Sequence, residues 1–190
     1  MEPCRSLALL AGSLGLTSSL IALSTDFWIV ATGPKFSSHS GLWPTTHGIQ
    51  VAGKVQWALW GGNVQWGTDT HESHLALGYI HVTQSFCILA ALWSLVSMVF
   101  LILSYSPALS VPGRGPLVST VMSFAAALSV IVAMAVYTSS RWSQTPSPQV
   151  QTSFAWSFYL GWVSSVLFLC AGCLSLGAHC RTHRAGYETL

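Results

Sequence analysis

Charge is what this sequence has least of. Only 6% of its 190 residues are Asp, Glu, Lys or Arg, against roughly 25% in a soluble domain. With 52% of the chain hydrophobic and a mean hydropathy of +0.56, a water-facing surface cannot be built, so the solvent must be lipid. Seven Lys and Arg against five acids leave a formal net charge of +2. No basic cluster exists to grip phosphates, which excludes nucleic acid as a partner. The acids Glu2, Asp26, Asp69, Glu72 and Glu188 are scattered without the pairing that proton transfer needs. Neither an enzyme, nor a small-molecule substrate, nor a cofactor is expected. Asparagine occurs once, as Asn63-Val64-Gln65, so there is no N-glycosylation sequon. The five cysteines are Cys4, Cys87, Cys170, Cys173 and Cys180, and none lies between Asp26 and Leu77. A disulfide within the longest polar segment is thereby excluded by count.

What is there is a set of long uncharged runs. No ionisable side chain lies between Arg5 and Asp26. About 20 such residues at 1.5 Å each match a hydrocarbon slab about 30 Å thick, where an unhydrated backbone must be helical. Four spans follow from this pattern, at about 6–26, 80–104, 117–138 and 154–178. Between them lie loops 27–79 and 139–153 on one side and 105–116 on the other, with a polar tail at 179–190. The fold class is therefore all-α, a left-handed four-helix membrane bundle in one domain. Arg5 followed by an apolar run and Ala22-Leu23-Ser24 also resembles a cleavable secretory signal. Against removal stands the strip Ala8, Ala11, Gly12, Gly15, Ser19 and Ala22, a flat face for close helix packing. The span is expected to be retained.

Four spans place both termini on one side. Arg5, Arg114, Arg181 and Arg184 lie there, against Lys35, Lys54 and Arg141 opposite, and this bias puts the termini in the cytosol. Trp28, Trp142 and Trp156 are expected to form a belt at the outer or lumenal headgroups. In the first outer loop, Lys54-Val55-Gln56-Trp57-Ala58-Leu59-Trp60, then Gly61-Gly62-Asn63, then Val64-Gln65-Trp66 predict a β-hairpin that lies on the bundle. No formal charge sits deep in a span, which weakens a pore or pump.

Two patterns carry chemistry. The tail ends Gly186-Tyr187-Glu188-Thr189-Leu190. A Tyr-x-x-apolar peptide of this kind can add as a strand to a vesicle-coat adaptor, with Tyr187 and Leu190 in two pockets. A competing use is capture of the final carboxylate by a PDZ-type groove. In the outer loop, His39, His47, His71 and His74 are candidate pH-sensing residues, since histidines with a reference pKa near 6.5 would add about four charges at about pH 5. His71-Glu72-Ser73-His74 lacks the i, i+4 pair of a zinc protease helix, and no metal is expected. Cys170-Ala171-Gly172-Cys173 lies inside an apolar span and serves packing better than redox chemistry. Cys180, just past the last span, is a candidate for S-palmitoylation.

Four spans, a long first outer loop, Asp26-Phe27-Trp28 at the exit of the first span and Gly41-Leu42-Trp43 beyond it resemble the claudin, peripheral myelin protein and epithelial membrane protein superfamily. Tyr159-Leu160-Gly161-Trp162 is similar to the claudins as well. Over nearly the whole chain, Leu42-Trp43-Pro44-Thr45, 78–84, 115–120, 157–164 and the ending 186–190 resemble the branch of that superfamily found in cytotoxic granules. The resemblance implies a small β-containing first loop. It also implies a multi-pass protein of the cytolytic granule (secretory lysosome) and plasma membranes that promotes exocytosis, and so killing and inflammation, in natural killer and T cells. Its implied partners are membrane lipids, a coat adaptor at the tail and granule membrane proteins not yet identified. Claudins carry a cystine after their Gly-Leu-Trp, and its absence here argues against adhesion between cells. The stretch 54–77 departs from the granule branch and reads as an insertion or a splice product. Rival readings are a claudin-like barrier protein and an accessory subunit of a channel or pump.

Overall fold

The computed structural model describes residues 3–33, 36–43, 48–51, 54–57, 70–104, 115–142 and 151–187. Four helices, α1 (Pro3–Ser24), α2 (Thr70–Leu103), α3 (Gly115–Trp142) and α4 (Trp156–Tyr187), are joined on one side by β1 (Ile29–Gly33), β2 (Phe36–Ser40), β3 (Gly48–Val51), β4 (Lys54–Trp57) and β5 (Gln151–Phe154). Each helix contains an apolar stretch of 21 to 28 residues, about 30 to 40 Å at 1.5 Å per residue and so long enough to cross a bilayer. Pro3 and Pro116 sit in first turns, where the missing N–H has no helical partner to lose. α2 begins at Thr70 and α4 runs to Tyr187, and neither 70–77 nor 182–185 holds a Gly or Pro to stop a helix.

Small residues set how closely the helices approach. α1 packs on α4 and α2, and α3 packs on α2 and α4. Ala8, Gly12, Gly15, Ser19 and Ala22 are buried, so the strip on α1 is its packing face. Large side chains of neighbouring helices fill the notches: a Cβ at Gly15 would fall 2.8 Å from the Phe168 ring, and one at Gly161 would fall 2.7 Å from Met134 Sδ. Buried hydroxyls add a polar seam between α2 and α3. Ser97 Oγ lies 2.8 Å from both Ser119 Oγ and Ser123 Oγ. Ser175 Oγ donates to the Pro116 carbonyl at 3.0 Å and ties α4 to the start of α3. Lipid offers these hydroxyls no partner, so each must find one inside the bundle.

On the opposite face of the bundle, β1 is the centre of a three-stranded antiparallel sheet in the order β2-β1-β5. Ile29 faces Ser40 on one side and Phe154 on the other. The second outer loop, read from sequence only as a loop, therefore supplies a strand to the first. Part of the expected hairpin is seen, as the strand β4. Lys54–Trp57 pairs with Gly48–Val51, in a register running from Val51↔Lys54 to Gly48↔Trp57. Residues 64–66, expected as its partner, lie outside the described residues. Only two residues separate β3 from β4, a short closure.

Candidate functional site

The last carbonyls of a helix have no partner within it, and at the membrane edge each must be met by some other donor. The end of α1 solves this with residues just beyond the helix and with one 20 positions on. Ile21 C=O accepts from Thr25 N at 3.1 Å and from Thr25 Oγ1 at 2.6 Å. Ala22 C=O accepts from Trp28 Nε1 at 2.6 Å, and Leu23 C=O from Trp43 Nε1 at 2.7 Å. Two indoles thus cap one helix. Because Thr25 Oγ1 spends its single proton on Ile21, Ser157 must be the donor in the 2.7 Å contact between the two hydroxyls. That contact ties α4 to the same turn.

Gly41-Leu42-Trp43 divides the work among three side chains. A Cβ at Gly41 would collide with the Cα of Asp26 and sit 2.6 Å from Asp26 Oδ1 and 2.9 Å from the Thr25 carbonyl, so only glycine allows the loop to press on the helix end. Leu42 is 0% exposed, and its carbonyl accepts from Gln84 Nε2 of α2 at 2.6 Å. With the Gln84 amide nitrogen so committed, Oε1 faces His81 Nδ1 at 3.2 Å, and that ring nitrogen must carry the proton. Trp43 supplies the second capping N–H.

Beneath the clasp lies an aromatic cluster drawn from every helix end on this side. Trp28 meets Tyr137 edge-on at 4.9 Å between ring centroids, and Phe154 stacks on Phe158 at 4.2 Å. Tyr79 meets Tyr137 at 6.0 Å, and the Arg141 guanidinium carbon lies 5.9 Å from the centre of the Tyr137 ring. Trp28 is 1% exposed, which corrects its place in the expected belt: its N–H is needed by Ala22 rather than by headgroups. Trp142, 82% exposed, and Trp156 do face outward.

Asp26, Trp28, Gly41, Leu42 and Trp43 are therefore brought together. The histidines fall on different elements. His39 is exposed on β2 and stacks on Phe27 at 4.6 Å, which in turn stacks on Trp156 at 5.8 Å. His71 and His74 lie in the first turns of α2, and His47 lies outside the described residues. Among the described residues, no group of three or more His, Cys, Asp or Glu could hold a metal ion. At the far end, Cys180 is exposed, Gly186 and Tyr187 close α4, and Leu190 lies outside the described residues. The sequence reading missed Gln84, Ser157, Tyr137 and Phe158. Gln84 carried a signal, an amide inside an expected span that must be satisfied if buried.

The model of the PMP-22/EMP/MP20/Claudin family matches residues 6–175. Protein NKG7 of Mus musculus is 72% identical over 190 residues covering all of both chains, and Protein NKG7 of Homo sapiens is 60% identical with the same coverage. Lens fiber membrane intrinsic protein of Homo sapiens is 27% identical over 172 residues, 90% of this chain and 87% of that one.

Proposed function

The chain belongs to the PMP-22/EMP/MP20/Claudin family, and from that premise we propose that it is a non-enzymatic tetraspan of cytotoxic-granule membranes that promotes granule exocytosis, and so lymphocyte killing and inflammation. Both termini are cytosolic, and the protein divides between granule and plasma membranes. The bundle and its clasped sheet act through other granule membrane proteins, and the tail directs delivery. The observation that carries this reading is the tail: α4 runs to Tyr187, at the head of Tyr187-Glu188-Thr189-Leu190. A vesicle-coat adaptor reads such a peptide as an added strand with pockets for Tyr187 and Leu190. Tyr187→Ala should move the protein from granules to the cell surface in a resting lymphocyte, as seen by microscopy and surface labelling. Unchanged granule residence would end the sorting claim.

A second reading draws on the outer sheet. Uniting both outer loops in one sheet presents a formed surface to whatever faces it, which favours a claudin-like adhesion or barrier role at the plasma membrane. Abundant surface protein at rest, concentrated at cell contacts, would favour that reading over the granule one.

A further inference from the structure

Tryptophan suits the headgroup layer, where the apolar ring meets lipid and the N–H meets water. Trp93 is placed otherwise. It lies nine positions after Gln84, whose amide reaches the outer loop at Leu42, and ten before the end of α2 at Leu103. At 1.5 Å each these are about 14 and about 15 Å, which together match a hydrocarbon layer about 30 Å thick. Trp93 therefore sits near the bilayer midplane. Its side chain is 38% exposed, and among the described residues nothing accepts a hydrogen bond from its Nε1. Acyl chains offer no acceptor, so the indole N–H is left unmet there.

The complement is on α1. A Cβ at Gly12 would fall 2.9 Å from Met98 Sδ, so Gly12 and Met98 share one level of the antiparallel pair α1 and α2. Thr17 lies five positions outward from Gly12, and Trp93 five outward from Met98. These two therefore share a level as well. Thr17 is exposed, on the side of α1 away from buried Gly12, Gly15 and Ser19. Its Oγ1 lies 3.0 Å from both the Ser13 and the Leu14 carbonyls, so its one proton is spent inside α1 and its lone pairs are left for another donor. At one depth, α2 shows lipid a donor without an acceptor, and α1 an acceptor without a donor. The two do not face each other within one chain. Trp93 stands one turn before Ser97, on the side of α2 that turns toward α3, whereas Thr17 points away from the bundle.

We propose that a second copy of this chain packs against the first in the same bilayer, with Trp93 Nε1 of one donating to Thr17 Oγ1 of the other. Equal depth is what two copies inserted the same way round require, and each copy carries both halves of the bond. Leu89 and Phe100 beside Trp93, and Leu14 and Ile21 beside Thr17, are exposed too and give the contact its packing surface. Because the two halves lie on different faces, the contact is head-to-tail and either closes into a ring or extends as a row. The pairing is independent of where the protein resides. A side-chain bond between helices inside a membrane corresponds to about threefold in association, and at most to about twentyfold.

Full-length chains carrying donor or acceptor fluorophores, mixed in phosphatidylcholine vesicles over a range of protein-to-lipid ratios, test this by energy transfer. Transfer should rise with the ratio beyond that of random proximity. Trp93→Phe removes the N–H and keeps an aromatic ring, and Thr17→Val removes the acceptor oxygen. Each should raise the ratio needed for half-maximal transfer by about threefold to twentyfold. The double variant should raise it no further than either alone, since one bond is lost in every case. Trp142→Phe should leave it unchanged. Transfer at the random level leaves the α2 face to lipid or to another membrane protein and overturns the pairing. An unaltered ratio in Trp93→Phe, or shifts that add in the double variant, overturn it too. Both single variants should unfold at the same fraction of sodium dodecyl sulfate as the unmodified chain. Transfer lost only where unfolding is also earlier is a folding defect and overturns the pairing as well.

Discussion

Replacing Gly41 with alanine adds one methyl group, and the structure says where it must go. Its Cβ would overlap the Cα of Asp26 and crowd Asp26 Oδ1 at 2.6 Å and the Thr25 carbonyl at 2.9 Å. Two of those three atoms are backbone, pinned by Thr25 N and Oγ1 to Ile21 C=O. They cannot rotate aside as the tip of a flexible side chain could, so the loop must retreat by about 1 Å to restore van der Waals distance. Retreat stretches the Trp43–Leu23 bond from 2.7 Å and the Gln84–Leu42 bond from 2.6 Å to the limit of hydrogen bonding. Two bonds at about 1 kcal/mol each, plus about 1–3 kcal/mol of overpacking, give a loss of about 3–5 kcal/mol. Gly78→Ala is the control. Nothing lies within 4 Å of a Cβ there, and the residue is on an exposed helical turn, so alanine should be neutral or stabilise by up to about 1 kcal/mol. Unfolding by sodium dodecyl sulfate in mixed micelles, followed by tryptophan fluorescence, reads both. If Gly41→Ala unfolds at the same detergent fraction as the unmodified chain, close approach of loop and helix is not what holds the clasp.

Gln84→Leu leaves the buried Leu42 carbonyl without its donor and should cost about 1–3 kcal/mol in the same titration; no loss would mean that the α2 tie is dispensable. Ser97→Ala should cost only about 0.6 kcal/mol, and at most about 1.7, because hydroxyls inside membrane bundles find other partners. A larger loss would mark the seam with Ser119 and Ser123 as more than packing. For the outer histidines, capture of granule membrane proteins at pH 7 and at about pH 5 should differ for the unmodified chain and match when His39, His47, His71 and His74 are all glutamine. Equal capture by the unmodified chain retires the pH-sensing role.

The bundle was legible because lipid leaves few choices. A long run without charge must be helical and must span, and small residues at helical spacing must mark where helices touch, as Gly12 and Gly15 do. The clasp was half legible. Asp26, Trp28 and Gly41-Leu42-Trp43 stand out by kind and spacing, but the partners of their polar atoms are main-chain carbonyls, which no sequence pattern displays. Trp28 was misplaced for that reason: an indole suits a headgroup layer and a helix end equally well, and only the unmet carbonyl of Ala22 decides between them. β5 was illegible because Gln151-Thr152-Ser153-Phe154 is too short and polar to announce a strand. It becomes one only because β1 offers it an edge. β4 was legible from its alternation, but its pairing with β3 was not, because alternation marks a strand without naming its neighbour.

The bond between Thr25 and Ser157 joins positions 132 apart in the chain, and β5 closes onto β1 across a similar interval. During synthesis α1 enters the membrane long before residues 151–157 leave the ribosome. Until they arrive, the outer loop is an unfinished sheet on an incompletely tied helix, open to chaperones and proteases. A chain truncated before residue 151 would therefore lack both β5 and the Ser157 tie, leaving the outer sheet and the end of α1 incomplete.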